Sequence, residues 1–119
     1  MKYLMLIKHD ESYRDRPIPQ GLLDAMGPFV TAKMKSGVIT DTAGLKPSSD
    51  GFRVRSSGGK LTVKDGPFAE TKELVGGYAL AELKSREDAL DLAKEFMDLH
   101  RVHWPEFDGT CEVRPLEDM

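Results

Sequence analysis

The order of hydrophobic patterns in this chain of 119 residues predicts an α+β domain of the ferredoxin-like type. Short apolar or alternating runs are typical of strands, and two longer segments with apolar residues three and four apart are typical of helices. The elements follow one another as β-α-β, an inserted hairpin, and β-α-β. Two βαβ units with both helices on one face of the sheet form the ferredoxin-like arrangement. The length predicts a single domain over residues 1–119.

The first βαβ unit occupies residues 3–40. Residues 3–7 are apolar at every position, which predicts a strand buried on both faces. Residues 22–34 have helical spacing, and Gly37 is a suitable helix end. Extended structure resumes at 38–40, and the composition of 43–51 predicts a loop.

The inserted hairpin is predicted from residues 52–55 and 60–64, which alternate apolar and polar side chains around the turn at 56–59. Its polar side carries five residues, so one face is expected to contact water: Arg53, Arg55, Lys60, Thr62 and Lys64.

The second βαβ unit follows at residues 74–114. Residues 74–83 read as a strand, and Gly76-Gly77 within it indicates a bulge or the close approach of another group. Ser85 is the expected N-cap of the second helix, with acidic residues in the first turn. Residues 110–114 form the last strand.

Composition excludes several classes of function. The formal net charge is −3, so general attraction to nucleic acid or to an anionic membrane is not expected. The one cysteine, Cys111, excludes an internal disulfide and is interpreted as an inert core thiol. The N-terminal apolar run is too short for a signal peptide and no run reaches transmembrane length, which predicts a cytoplasmic protein.

The apolar strands also predict self-association. Strands 3–7 and 75–83 are largely apolar on both sides, while helices can cover only one face of the sheet. The open face would leave a large apolar patch in water. We therefore expect a homodimer with the two sheets face to face, enclosing a cavity.

A nine-residue stretch is not explained by building the core: Asp65-Gly66-Pro67-Phe68-Ala69-Glu70-Thr71-Lys72-Glu73. It combines a turn signal, an apolar anchor and four charges. Asp65 is the candidate proton-transfer group, because a cavity and nearby cations would tune its pKa. The alternative is a turn residue whose side chain accepts backbone N–H bonds.

This stretch, with Lys2-Tyr3-Leu4-Met5-Leu6-Ile7, Gly76-Gly77-Tyr78 and Glu112-Val113-Arg114-Pro115, resembles the YCII-related proteins of the DGPF-domain group. The resemblance covers nearly the whole chain and implies a dimeric α/β-barrel fold. It implies a regulatory setting beside extracytoplasmic-function sigma factors for some members, without naming an activity. More distant YCII-like proteins have a proposed His-Asp pair, for which Asp65 is the matching acid here. The histidine is not assigned, because His9, His100 and His103 all lie outside the motif.

Several polar residues are candidates for binding a small molecule. Glu70 and Lys72 lie on one side of the chain if that segment is extended, and Tyr78 follows the glycine pair. Glu112 and Arg114 alternate with apolar neighbours and should face the open side of the sheet, where Arg114 suits a carboxylate or phosphate. Surface or intrasheet ion pairs are the alternative for these charges.

His100 and His103 share a helix face if the second helix extends that far, and with His9 or an acid they have ligand types that suit a divalent metal. A helix-end pair favoured by the dipole is the simpler interpretation. We therefore predict no metal and no cofactor.

Two functions follow as hypotheses. The first is a cofactor-free acid–base enzyme that acts on a small organic molecule in a cavity, with Asp65 as the proton-transfer group. The second is a non-catalytic ligand-binding or regulatory protein, acting with a sigma factor.

Overall fold

The computed structural model describes residues 1–10, 12, 17–68 and 73–117 of the chain. The first βαβ unit consists of β1 (Lys2–His9), α1 (Gln20–Lys35) and β2 (Ile39–Gly44). A 3-10 turn at Ser48–Asp50 precedes the hairpin of β3 (Phe52–Ser57) and β4 (Lys60–Asp65). The second unit consists of β5 (Leu74–Glu82), α2 (Arg86–His103) and β6 (Gly109–Pro115). This order confirms the predicted ferredoxin-like α+β arrangement.

The main sheet has the strand order β2-β5-β1-β6, and all its pairs are antiparallel. The two central strands, β1 and β5, are therefore the first strands of the two βαβ units. β2 differs from the prediction, because it continues to Gly44 where a loop was expected. Its pairing with β5 extends it, down to Gly44 opposite Gly77.

The core lies between the sheet and the two helices. Tyr3 and Met5 of β1 point into it, as alternation along the strand requires, and Ala81 of β5 is fully buried beside them. Ala89 and Leu92 on α2 pack on this side of the sheet. The predicted N-cap is confirmed, since the Ser85 hydroxyl accepts a hydrogen bond from the Asp88 amide at 3.1 Å.

The glycine pair in β5 produces a bulge. Ile7 pairs with Gly77 and Lys8 pairs with Val75, so Gly76 is the additional residue. A Cβ atom at Gly76 would overlap the imidazole of His9. The predicted close approach of another group is therefore confirmed, and that group is the side chain of His9.

The hairpin is a separate two-stranded sheet, and its two faces differ in character. The register places Arg53 opposite Lys64 and Arg55 opposite Thr62 on the polar face. The other face is apolar and is also exposed: 67% of Phe52, 57% of Val54, 74% of Leu61 and 68% of Val63. The hairpin lengthens the molecule, whose radius of gyration of 16.0 Å exceeds the roughly 13.5 Å typical of a compact domain of this length.

The foot of the hairpin is held by contacts from the Asp65 motif. The Gly66 amide donates to the carbonyl of Gly51 at 2.9 Å, and the Phe68 amide donates to the Ser48 hydroxyl at 3.0 Å. The buried Phe68 ring lies 3.8 Å from the guanidinium carbon of Arg53. These contacts fix the hairpin against the 3-10 turn.

In the described part of the chain, no helix packs on the second face of the main sheet. Leu4 and Leu6 of β1 lie beside Leu80 and Tyr78 of β5, which gives the face a half-buried apolar centre. We call it the open face. Among the described residues, no helix is both long and apolar enough to cross a membrane.

We predict that Gly66→Ala destabilises the fold. Its Cβ would overlap the backbone carbonyl of Ser48, which cannot move as a flexible side chain would. The expected loss is about 1–3 kcal/mol of unfolding free energy, measured by chemical denaturation.

Gly27→Ala is the control, because a Cβ added to this helical glycine would meet nothing within 4 Å apart from its chain neighbours and the backbone of its own helix. The change should add about 0.5–1 kcal/mol to the unfolding free energy. Equal denaturation midpoints for Gly66→Ala and the wild type would contradict the contact at the hairpin foot.

Candidate functional site

A cavity of about 260 Å³ lies between the helices and one half of the main sheet. Its floor is formed by helix-facing residues of the strands, and its roof by α1, α2 and the segment that follows α2. We call it the helix-side cavity. The residues used below all line it: Ile7, His9, Thr42, Gly76, Gly77, Phe96, His100, Trp104, Phe107 and Cys111.

His9 stands at the end of β1, on the side of the strand that also carries Met5 and Ile7. Its Nδ1 lies 2.9 Å from the carbonyl oxygen of Asp10. A carbonyl can only accept, so Nδ1 carries the hydrogen and Nε2 is the basic nitrogen of the neutral ring. Because Gly76 has no side chain, the ring can lie against the backbone of β5.

His100 faces the same cavity from the last turns of α2 and is only 7% exposed. Its Nδ1 lies 3.1 Å from the carbonyl oxygen of Phe96, so this ring also has its hydrogen on Nδ1. Nε2 has no hydrogen-bond partner among the described residues. Burial lowers the pKa of His100, and the neighbouring His9 lowers it further, so the ring is neutral near pH 7.

The ring of Phe107 packs against both histidines. Its ring centroid lies 5.9 Å from that of His9 and 4.9 Å from that of His100. Trp104 packs on the same phenylalanine at 5.2 Å, and Phe96 packs on His100 at 4.9 Å. The two imidazoles are therefore held at one end of the cavity by an aromatic cluster, which limits their rotation.

The rest of the described cavity wall is uncharged. None of its described lining residues is Asp, Glu, Lys or Arg. The hydroxyl of Thr42 donates to the carbonyl of Tyr78 at 2.8 Å, and burial raises the pKa of the Cys111 thiol, which keeps it protonated. The two imidazoles are thus the side chains of the described lining that carry a basic nitrogen.

The predicted catalytic residue, Asp65, lies elsewhere. It ends β4 opposite Phe52, is exposed, and does not line the helix-side cavity. Its carboxylate makes no hydrogen bond or ion pair with another described residue. The proton-transfer role of Asp65 stays a prediction, and within one chain the structure does not bring it together with a histidine.

The other predicted ligand-binding residues lie on or near the open face. Glu112 and Arg114 point there, opposite Leu6 and Leu4, and the Glu112 carboxylate lies 2.9 Å from the Lys8 ammonium. This hydrogen-bonded ion pair lowers the pKa of Glu112. The Tyr78 hydroxyl donates to Asp41 at 2.9 Å, which raises the pKa of Tyr78.

Glu70 and Lys72 lie outside the described residues, so their predicted role stays a prediction. His100 and His103 both belong to α2, but His100 is buried and His103 is exposed. No group of three His, Cys, Asp or Glu residues suited to a metal ion occurs in the part of the chain that the structure describes.

Sequence reasoning missed the helix-side cavity and the pairing of His9 with His100. Two signals for His9 were present: it continues the helix-facing alternation of β1, and the glycine pair in β5 required a close neighbour. His100 follows the apolar stripe of α2, four residues after Phe96. The missing information was that β1 and α2 converge beside Phe107.

We predict that the unfolding free energy decreases as the pH is lowered through a window set by His100. Its folded-state pKa is lowered from the usual 6.5, so the unfolded chain binds more protons below that value. The stabilisation contributed by the neutral His100 ring is complete above pH 6.5. It decreases as the pH falls towards the folded-state pKa of His100. Denaturation from pH 7.5 to 5 should show this loss, well above the ordinary pKa of 4.5 for Glu112.

His100→Phe should flatten this dependence, whereas His103→Gln, at the exposed histidine, should retain it. The same slope in wild type and His100→Phe would show that another group titrates in the window.

Comparison with known proteins agrees with the architecture. The YCII-related domain matches residues 1–97 of this chain. An uncharacterised protein of Rhizobium meliloti (strain 1021) is 32% identical over 123 residues, which cover 98% of this chain and 92% of that protein. The matched region contains β1, the Asp65 motif, the β5 bulge and most of α2. On this match, the chain belongs to the YCII-related family.

Proposed function

We propose that this protein is a cofactor-free acid–base enzyme that acts on a small organic molecule in the helix-side cavity. The observation that supports this most is the pair of imidazoles at one end of a cavity whose other described lining residues are uncharged. General acid–base catalysis contributes roughly 10²–10⁴-fold to a rate, and histidine is the side chain most often used.

The tautomers of the two histidines support a transfer of a proton from the substrate to the protein. His9 donates through Nδ1 to the Asp10 carbonyl, so its Nε2 accepts a proton from the substrate. The same carbonyl then stabilises the imidazolium, because Nδ1–H becomes a stronger donor. His100 is held neutral and contributes a second basic nitrogen rather than a competing positive charge. The reaction class is an isomerisation or a similar proton transfer.

A non-catalytic ligand-binding or regulatory protein, including one that acts with a sigma factor, is the alternative. It would use the same cavity without proton transfer. The two differ in what His9 must do, because binding alone needs its shape and hydrogen bonding, whereas catalysis needs a titrating nitrogen.

We predict that the wild-type protein changes the abundance or deuterium content of a metabolite in cell extract prepared in D₂O, detected by mass spectrometry. His9→Gln should abolish this change, because glutamine retains polarity but has no nitrogen that titrates near pH 7. Asp65→Asn in the same assay tests the proton-transfer role predicted for that carboxylate, and it should fold normally because asparagine also forms turns.

Denaturation and sedimentation of each variant provide the folding control. Equal conversion by wild type and His9→Gln would rule out the acid–base role of His9. A metabolite that binds without conversion would favour the ligand-binding alternative.

We also propose a homodimer formed through the open face. Its apolar centre is self-complementary, and the two edges of this face carry opposite charges: Asp41 on β2 and Arg114 on β6. A twofold axis along the strands would lay each β2 edge over the other copy's β6 edge, which would pair Asp41 with Arg114. The exposed apolar side of the hairpin offers the same second copy further surface.

We predict sedimentation as a dimer at micromolar concentration, with an interface of about 1,600 Å² in total. Leu4→Glu places a charge in the centre of the open face and should give a folded monomer. Leu90→Glu, the same change at an exposed leucine of α2, should remain dimeric. A wild-type monomer, or a Leu4→Glu dimer, would contradict an interface on this face.

A further inference from the structure

We propose that the ligand of the helix-side cavity is a small uncharged molecule with one apolar ring and one hydroxyl, of the phenol or cyclic alcohol class, whose hydroxyl donates to Nε2 of His100. This inference rests on the proposed function, because it names the ligand class of the same site. It follows from the size of the cavity, the absence of charge in its described lining and the tautomer of His100.

The volume suits a ligand of one ring with small substituents. An apolar cavity of about 150 Å³ accommodates benzene, and drug-sized ligands use pockets of about 300–1,000 Å³. At about 260 Å³, the helix-side cavity lies between these cases. Aromatic residues line the end that holds the histidines, and their rings favour a flat apolar partner.

The lining disfavours an ionised ligand. A carboxylate, phosphate or ammonium group would lose its hydration without meeting an Asp, Glu, Lys or Arg among the described lining residues. A protonated histidine would be the remaining counter-ion for an anion, but burial disfavours the charged form of His100. The charges of the open face are on the other side of the sheet.

The polar end of the cavity presents hydrogen-bond acceptors, which suit a hydrogen-bond donor on the ligand. His100 Nδ1–H is used by the Phe96 carbonyl, so the ring presents the lone pair of Nε2. His9 has the same tautomer, and the Thr42 hydroxyl already donates to the backbone. A ligand hydroxyl can donate to Nε2 of His100, which faces the cavity and has no hydrogen-bond partner among the described residues.

Four para-substituted toluenes of similar size test this by calorimetry at pH 7.5. They are 4-methylphenol, which donates; 1,4-dimethylbenzene, its isostere without a polar group; 4-methylanisole, which can only accept; and 4-methylbenzoate, which is charged. Each is titrated into the wild-type protein and into His100→Phe, which keeps an aromatic ring at this position.

We expect 4-methylphenol to bind, and 4-methylbenzoate to bind at least tenfold more weakly. His100→Phe should weaken 4-methylphenol about tenfold and change 1,4-dimethylbenzene by less than about twofold, since only the hydrogen bond is lost. In the wild-type protein alone, 4-methylphenol should shift the ¹⁵N signal of a histidine Nε2, and 1,4-dimethylbenzene should not. This NMR measurement does not depend on whether His100→Phe folds.

The inference is overturned if 4-methylbenzoate or 4-methylanisole binds as tightly as 4-methylphenol, if no probe binds at millimolar concentration, or if the Nε2 signals do not respond. The proposed enzymatic function fails separately. It fails if no metabolite is converted in a His9-dependent manner, even where 4-methylphenol binds as expected.

Discussion

A run of small residues on the helix-facing side of β5 sets the shape of the site. Gly77, Ala79 and Ala81 occupy this side of a central strand, where large side chains would normally fill the layer. At Ala81 the space is taken by Tyr3 and the helices, and the core closes. Gly77 and Ala79 line the helix-side cavity, whereas Ala81 does not.

The bulge at Gly76 depends on the same run. An additional residue in β5 shifts the register after Ile7, and the missing side chain leaves room for the His9 ring. A β-branched residue here would favour an unbroken strand, but it would expel the imidazole from its position. The glycine pair therefore links backbone geometry to chemistry, because one bulge both ends the regular pairing and positions a base.

Much of the fold could be predicted because it depends on local periodicity. The alternation in β3 and β4, the helical stripe before Gly37 and the Ser85 cap each act within a few residues, and each is found in the structure. β2 was predicted too short because its last residues pair with β5, a partner distant in sequence. The cavity could not be predicted for a similar reason, since it requires the relative placement of a strand end, a helix end and the loop carrying Phe107.

The Asp65 motif shows how a conspicuous sequence can have a structural explanation. Gly66 fits against the 3-10 turn, where a Cβ would overlap the Ser48 carbonyl. Phe68 is buried under Arg53 and donates its amide to Ser48. These contacts explain the glycine and the phenylalanine by anchoring, and they leave the Asp65 carboxylate without an explanation inside one chain.

The two faces of the sheet therefore differ in the charges that they carry. The open face carries the ion pair of Lys8 with Glu112 and the edge charges Asp41 and Arg114, which remain solvated or meet charges on another copy. The helix side has titratable imidazoles but no fixed charge among its described lining residues. In a low-dielectric space, a nearby fixed charge would hold an imidazole in one protonation state. The described lining of the cavity therefore offers a ligand two imidazoles and uncharged side chains, whereas the open face offers fixed charges.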